Sequence, residues 1–334
     1  MTLKLSICIP TLDRLDCLNN CLNSILIAHN TYTIPFEVCV SDNNPNGNAE
    51  KIVKKYQDFY SIKYFCNKSN IGVGNNIINS VSLAEGEFVW IIGNDDFLLP
   101  NTFFELENIL NKEFIDYLYI NSIKLSSKFY NLSDGPIDTK SMPSNLENFS
   151  SIKESFESNF LDLVDPKISF DFLLGMFLSV FRRDKWLAGL DSIDKIKLSD
   201  NATFSYLENT CPHVKIFANS FNNSRAWFNA KPLSVNMSGE REWGYLYPLV
   251  DSIRIPEIIE EFYKNGLPFG QYLKCKNFAL KRLLPNLFLM IFSKKYSGLR
   301  FISIRKNILP NLLFPSIYIY PIIYIIKKII SKLR

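Results

Sequence analysis

From Lys4 to Ile123 short apolar runs of strand length alternate with apolar stripes of helical spacing, and that alternation leaves few folds open. "KLSICIP" (4–10), "FEVCV" (36–40), "IKYFCN" (62–67), "EFVWII" (87–92) and "DYLYINSI" (116–123) read as strands. Between them, Leu15, Leu18, Leu22, Ile25 and Leu26 mark one helix face. "NAEKIVKKYQDFY" and "NNIINSVSLA" mark two more, and "NTFFELENILNK" a fourth, with Asn101 as its N-cap. Strand–helix alternation of this kind builds an α/β unit around a mostly parallel sheet. Right-handed crossovers then line up the strand C-terminal ends along one edge, where such sheets hold their ligands.

The polar turns "PTLDR", "SDNNPNG" and "GNDD" all follow strands, so they converge on that edge. Asp95 and Asp96 are the costly pair among them. Adjacent carboxylates raise each other's proton affinity unless a positive group neutralises them. A solvated acidic turn is one reading. The other is a Mg²⁺ or Mn²⁺ ion held by one or two carboxylates plus substrate phosphates, which would also stabilise charge on a leaving diphosphate. Asp42, at the end of the second strand, suits a base or ribose, or else an Asx-turn. "NIGVGNN" (70–76) offers close backbone approach at Gly72 and Gly74, but it lacks the third glycine of a dinucleotide fingerprint.

Of two histidines, His29 sits at a helix end, in a capping or solvated role. His213 follows Pro212 at a helix start, where Thr210 is the expected cap; it is a candidate general base. Asp200 and Glu208, upstream of it, are weaker candidates. Seven cysteines without a CxxC pair favour neither a zinc site nor a disulfide framework, which fits a reducing, cytoplasmic compartment. "MTLKLSICIP" lacks the pattern of a secretory signal.

Composition divides the chain. From Glu261 to Arg334 fourteen Lys/Arg face one acidic residue, a balance of +13, whereas the preceding 260 residues carry 23 basic against 32 acidic, or −9. Within that tail Asn307–Ile326 has no charge and three prolines. A segment lying in the membrane interface is expected, with Tyr318, Tyr320 and Tyr324 near the headgroups and lysines on anionic lipid. Its apolar content argues against a nucleic-acid partner. The Ser/Asn-rich stretch 126–165 reads as a mobile flap, "FDFLLGMFLSVFRRDKW" as a helix followed by a strand. Three parts are expected: 1–125, binding a nucleotide; 126–250, flap and acceptor half; and 251–334, the basic apolar region.

Taken in order, "SICIPTLDR", "VCVSDNNPNG", "NIGVGNNIINSVSLAEGEFVWIIGNDDFLLP" and "DYLY" resemble the nucleotide-sugar-binding half of the family 2 glycosyltransferases over residues 3–120. The resemblance implies a GT-A fold with a helical, membrane-associating C-terminal region. It also implies donor contacts from Pro10, Thr11, Arg14, Asp42, Asn70, Gly72, Asn94 and Asp95. Asp95 and Asp96 would meet a Mn²⁺ or Mg²⁺ ion, with Asp96 also catalytic. The family usually has an acid two positions before Asp95; here Gly93 stands there. "GMFLSVFRRDKW" and "PHV" are similar to O-antigen transferases that add abequose from a CDP-linked donor, with His213 where many members keep an acid pair. That implies a hexosyltransferase on the cytoplasmic membrane face, taking a nucleotide-sugar donor and a polyprenyl-linked oligosaccharide acceptor. A nucleotidyl- or phosphotransferase would also use paired carboxylates, but "PTLDR" offers only Arg14 to a phosphate. Gly93 is the feature that favours a non-catalytic scaffold of the same fold.

Overall fold

The computed structural model describes residues 3–112, 114–126, 136–143, 145–238 and 243–323. Nine strands form one sheet among these residues: β1 (Leu5–Thr11), β2 (Phe36–Asp42), β3 (Ile62–Cys66), β4 (Phe88–Ile91), β5 (Asp96–Leu98), β6 (Tyr117–Ser126), β7 (Phe156–Asn159), β8 (Ser179–Arg182) and β9 (Arg225–Ser238). Their order is β3-β2-β1-β4-β8-β6-β9-β5, with β7 also on β9. The first four run parallel; β8 is antiparallel to both β4 and β6. β1, β2 and β4 are apolar runs buried on both faces, as parallel strands under helices must be.

The helices of the first half are α1 (Leu15–Thr31), α2 (Glu50–Lys54), α3 (Val73–Ser82) and α4 (Thr102–Leu110). Leu18, Cys21, Leu22, Ile25 and Ala28 form the buried stripe of α1. Asn101 occupies the N-cap position of α4, but its side chain makes no capping bond. The second half adds α5 (Arg183–Gly189), α6 (Lys195–Leu198), α7 (Leu207–Thr210), α8 (Pro212–Ser220), α9 (Tyr247–Leu249), α10 (Ile255–Lys264), α11 (Phe269–Leu280) and α12 (Leu283–Phe292).

Several expectations change here. β8 and β9 enter the same sheet as the first half, and one core draws on residues from Leu5 to Ala279, so 125 and 250 are not boundaries between separate bodies. No helix precedes β8: Phe172 and Leu173 take left-handed φ values of 53° and 67°, followed by a short 3₁₀ turn. Within 126–165, residues 127–135 and 144 lie outside the described residues. The described remainder is anchored to the body, with Ile137, Phe160, Leu163 and Val164 buried, and does not form a free flap.

The tail is likewise partly core. Ile317 is buried, and Phe301, Ile302, Ile308 and Phe314 pack with it on Leu249, Leu280, Leu283 and Met290. Tyr318 is exposed and Tyr320 half-buried, while Tyr324 lies outside the described residues. No helix among the described residues is long and apolar enough to cross a membrane. Cutting the chain at Ser303 therefore strips the cover from this small core. We expect a lower thermal midpoint for the truncated protein, measured by circular dichroism, and not a more soluble equivalent of the whole.

Candidate active site

The ends of β1, β2 and β4 meet at one edge, and asparagines stitch their loops together. Asn43 donates to Asn70 Oδ1 at 2.7 Å and accepts from Ile71 N–H at 2.9 Å. Asn76 accepts from Ser41 at 2.7 Å and from Asn67 at 3.0 Å, and donates to the Thr11 carbonyl at 3.2 Å. Asn79 donates to Asn67 Oδ1 at 2.8 Å. Sequence reasoning missed this network, although asparagines crowd the turns after β2 and β3. Asn67→Ala leaves Ser41, Asn76 and Asn79 short of partners, and should cost about 1–3 kcal/mol of stability in urea unfolding.

Asp42 is spent on the turn itself. One oxygen accepts from Asn44 N–H at 2.9 Å, the other from Ala49 N–H at 3.1 Å and Tyr64 hydroxyl at 2.9 Å. It shapes the loop that carries Asn43 and Asn44, and the Asx-turn reading is the one the geometry bears out. Pro10 and Thr11 close β1 beside Ser41 and Asp42. Thr11 Oγ1 accepts from Asn94 at 2.9 Å, tying the first loop to the fourth. Gly72 has φ +81°, with open space where a side chain would stand. Gly74 has a different reason: a Cβ there would lie 3.0 Å from Asn209 Cα and the Glu208 carbonyl, so it lets α3 pack against α7.

The two aspartates have different neighbours. Asp95 Oδ2 accepts from Arg14 at 3.0 Å, and its side chain keeps some exposure. Arg14 and the preceding Asp13 both have left-handed φ, 55° and 52°, a conformation that costs ordinary residues about 1 kcal/mol or more each. The ion pair, and an Asn44 side chain donating to Asp13 at 2.6 Å, hold this strained corner. Arg14 is thus the positive group that offsets the acid pair. Asp96 is 1% exposed; Oδ2 accepts from Gly93 N–H and Oδ1 from Asn236, both at 2.6 Å. Asn236 comes from β9, opposite Asp96 in register.

This corrects the expectation that Asp96 is a metal ligand and catalytic residue: it faces inward and locks the turn onto β9. Gly93 makes the arrangement possible, since a Cβ there would stand 2.7 Å from Asp95 Oδ1 and 3.1 Å from Asp96 Oδ2. The missing family acid is the space these carboxylates fill.

His213 is also corrected. It starts α8 with Cys211, not Thr210, at the cap position, and is 3% exposed. Nε2 lies 2.9 Å from the Leu174 carbonyl and so carries the proton, while Nδ1 is buried with no partner among the described residues. Burial pushes the imidazole down to about 4. Its basic nitrogen is buried in a core beside Phe217, at 5.9 Å between ring centroids, and does not open onto the strand-end edge as an acceptor's base would. Instead it ties α8 to the left-handed Phe172–Leu173 turn. His29, in the last turn of α1, bonds Thr33 Oγ1 at 2.9 Å as a helix-end residue.

Residues 6–158 match the model of glycosyl transferase family 2. That stretch carries a family 2 glycosyltransferase domain. The transferase is 27% identical over 297 residues to abequosyltransferase RfbV of Salmonella typhimurium, covering 85% of this chain and 80% of that protein. It is 33% identical over 132 residues to a Campylobacter jejuni GalNAc(5)-diNAcBac-PP-undecaprenol β-1,3-glucosyltransferase, 39% of this chain and 41% of that one. Among solved structures, S. aureus TarS 1–349 aligns at TM-score 0.53 and 18% identity, over 87% of this chain and 73% of that one. A Pyrobaculum calidifontis mannosyltransferase, solved with GDP-Man and Mn²⁺, aligns at 0.53 and 12%, over 99% and 88%. These two likenesses concern the fold, which is GT-A-like. The transferase is a nucleotide-sugar glycosyltransferase.

Among the described residues no cluster of three or more His, Cys, Asp or Glu could hold a metal alone. One carboxylate at the mouth, Asp95, fits a Mg²⁺ or Mn²⁺ ion whose remaining ligands are donor phosphates and water.

Proposed function

We propose that the transferase moves a sugar of the dideoxyhexose class, abequose being the example, from a nucleoside-diphosphate donor to a polyprenyl-linked saccharide. The observation that carries this reading is the likeness to an abequosyltransferase over 85% of the chain, with Arg14 and Asp95 paired at the strand ends. The name of the C. jejuni relative supplies the precedent for a polyprenyl-linked acceptor. Such an acceptor would set the enzyme at the cytoplasmic face of the cell membrane.

In this reading the asparagine-braced loops hold the nucleoside and Arg14 faces the diphosphate. Asp95 would hold Mn²⁺ or Mg²⁺ together with the donor's phosphates, and that ion would offset the charge of the leaving group. Asp96, Gly93 and Asn236 keep the turn in shape. With His213 sealed, Asp200 is an exposed acid in the loop that lies against α3. One of its oxygens accepts from Ala202 N–H and Ser205, both at 2.8 Å. Asn75 of α3 donates to the adjoining Leu198 carbonyl and Ser199 hydroxyl. We assign Asp200 to the acceptor hydroxyl, whereas Glu208 is buried against Lys215 at 2.6 Å. Asp200→Asn should lower turnover by about 10²-fold or more with donor affinity kept.

The test is a panel of CDP-, UDP-, GDP- and dTDP-sugars, screened for thermal stabilisation with and without Mn²⁺, then for transfer to a polyprenyl diphosphate oligosaccharide. Stabilisation by a CDP-dideoxyhexose, followed by transfer, is the expected result. Transfer of a different sugar class would overturn the donor assignment.

A further inference from the structure

α12 is apolar on both sides. Leu283, Leu287 and Met290 face the small C-terminal core. On the outside Leu284, Phe288, Ile291 and Phe292 are 38%, 62%, 58% and 70% exposed, a stripe at i, i+4, i+7 and i+8. The Phe288 and Phe292 rings touch, with centroids 4.4 Å apart. A helix apolar all round belongs in a core or in lipid. With ten residues it is about 15 Å long, half of what a bilayer's hydrocarbon core demands, so it can lie in a membrane but not cross one.

The charges around it are of one sign. Lys281 and Arg282 precede α12, Lys294 and Lys295 follow it, and Arg300 comes next; the sequence has no acidic residue after Glu261. Among the described residues only Arg282 of these five meets a carboxylate, Asp251 at 3.6 Å. Lysine and arginine that lack acidic partners, flanking an exposed aromatic stripe, complement an anionic lipid surface.

We infer that α12 is the membrane-docking element: its outer stripe, led by Phe288 and Phe292, inserts into the headgroup boundary of an anionic bilayer while the flanking cations hold the lipid phosphates. This deepens the lipid-linked-acceptor reading and rests on it for its purpose. Vesicle binding, however, is measured without acceptor or donor.

The experiment is flotation of the full chain with vesicles of equal phosphatidylethanolamine and phosphatidylglycerol, against vesicles of phosphatidylcholine. The wild type should partition to the anionic vesicles at least about tenfold better, falling with added salt. Phe288→Asp with Phe292→Asp should lose about tenfold or more of that binding while the melting curve stays near wild type, because both rings face outward. Lys294→Glu with Lys295→Glu, which leaves the stripe intact, should lose the preference for anionic lipid. The phenylalanine pair should still transfer sugar to a short-chain, detergent-free acceptor at the wild-type rate, which separates failed docking from a failed enzyme. Equal binding to both vesicle types, or full binding by the phenylalanine pair, would overturn the inference. So would a dimer in sedimentation that the phenylalanine substitutions dissolve, because α12 would then be covered by a second copy.

Discussion

Asp95→Asn should lower sugar transfer by about 10²–10³-fold, the usual loss when one group that meets developing charge is removed. The fold should hardly notice. Asp95 gives up one ion pair with a partly exposed arginine, and such a pair is worth no more than about 1 kcal/mol. Asp96→Asn should do the reverse. The Asp96 carboxylate accepts from both Gly93 N–H and Asn236, and an amide turns one of those contacts into donor against donor. That variant should lose about 1–3 kcal/mol in urea unfolding, its molecules still folded retaining much of their donor affinity. Initial rates and unfolding midpoints for the two variants, side by side, check the distinction. Equal losses of activity with equal stability would show that both acids serve the donor.

Acidification should destabilise the protein through His213. The imidazole's folded value of about 4 lies below its unfolded value near 6.5, so the unfolded chain binds the extra proton first. The contribution is fully present above pH 6.5 and is lost as pH falls toward 4. Over that window the loss is about 3 kcal/mol. His213→Gln can still donate to the Leu174 carbonyl but does not titrate, so its stability should fall by that much less between the same pH values. Urea midpoints across the range give the comparison. At neutral pH the folded His213→Gln protein should transfer sugar at close to the wild-type rate. A turnover loss of about 10²-fold or more, with donor binding intact, would return the histidine to catalysis.

The two cases show where the sequence was legible. β1 to β4 could be read because buried parallel strands are continuous apolar runs, and their polar turns had to share one edge. β5 could not: three residues, Asp96–Leu98, carry no period, and they are a strand only because β9 pairs with them from 138 or so positions downstream. The insertion of β8 between β4 and β6 is equally non-local. The adjacent aspartates announced the need for a positive partner, but not that Arg14, 81 residues away, would supply it. Nor could spacing say that Gly93 leaves room for the carboxylates. His213 looked like a base because a histidine at a helix start is a chemical signal. Its depth is set by Phe217 and by the left-handed turn before Leu174, and neither leaves a mark in local sequence.

In the proposed reaction Arg14 and Asp95, at the ends of the parallel strands, hold a nucleoside-diphosphate sugar for transfer. Calorimetric titration of the full chain with CDP-dideoxyhexose and the other donors, with and without Mn²⁺, tests it most directly when repeated on Arg14→Ala and Asp95→Asn. One donor class should bind the wild type, Arg14→Ala should weaken that binding about tenfold or more, and Asp95→Asn should lose its response to Mn²⁺. Donor binding that is unchanged in both variants, or a wild type that binds no nucleotide sugar, would contradict it.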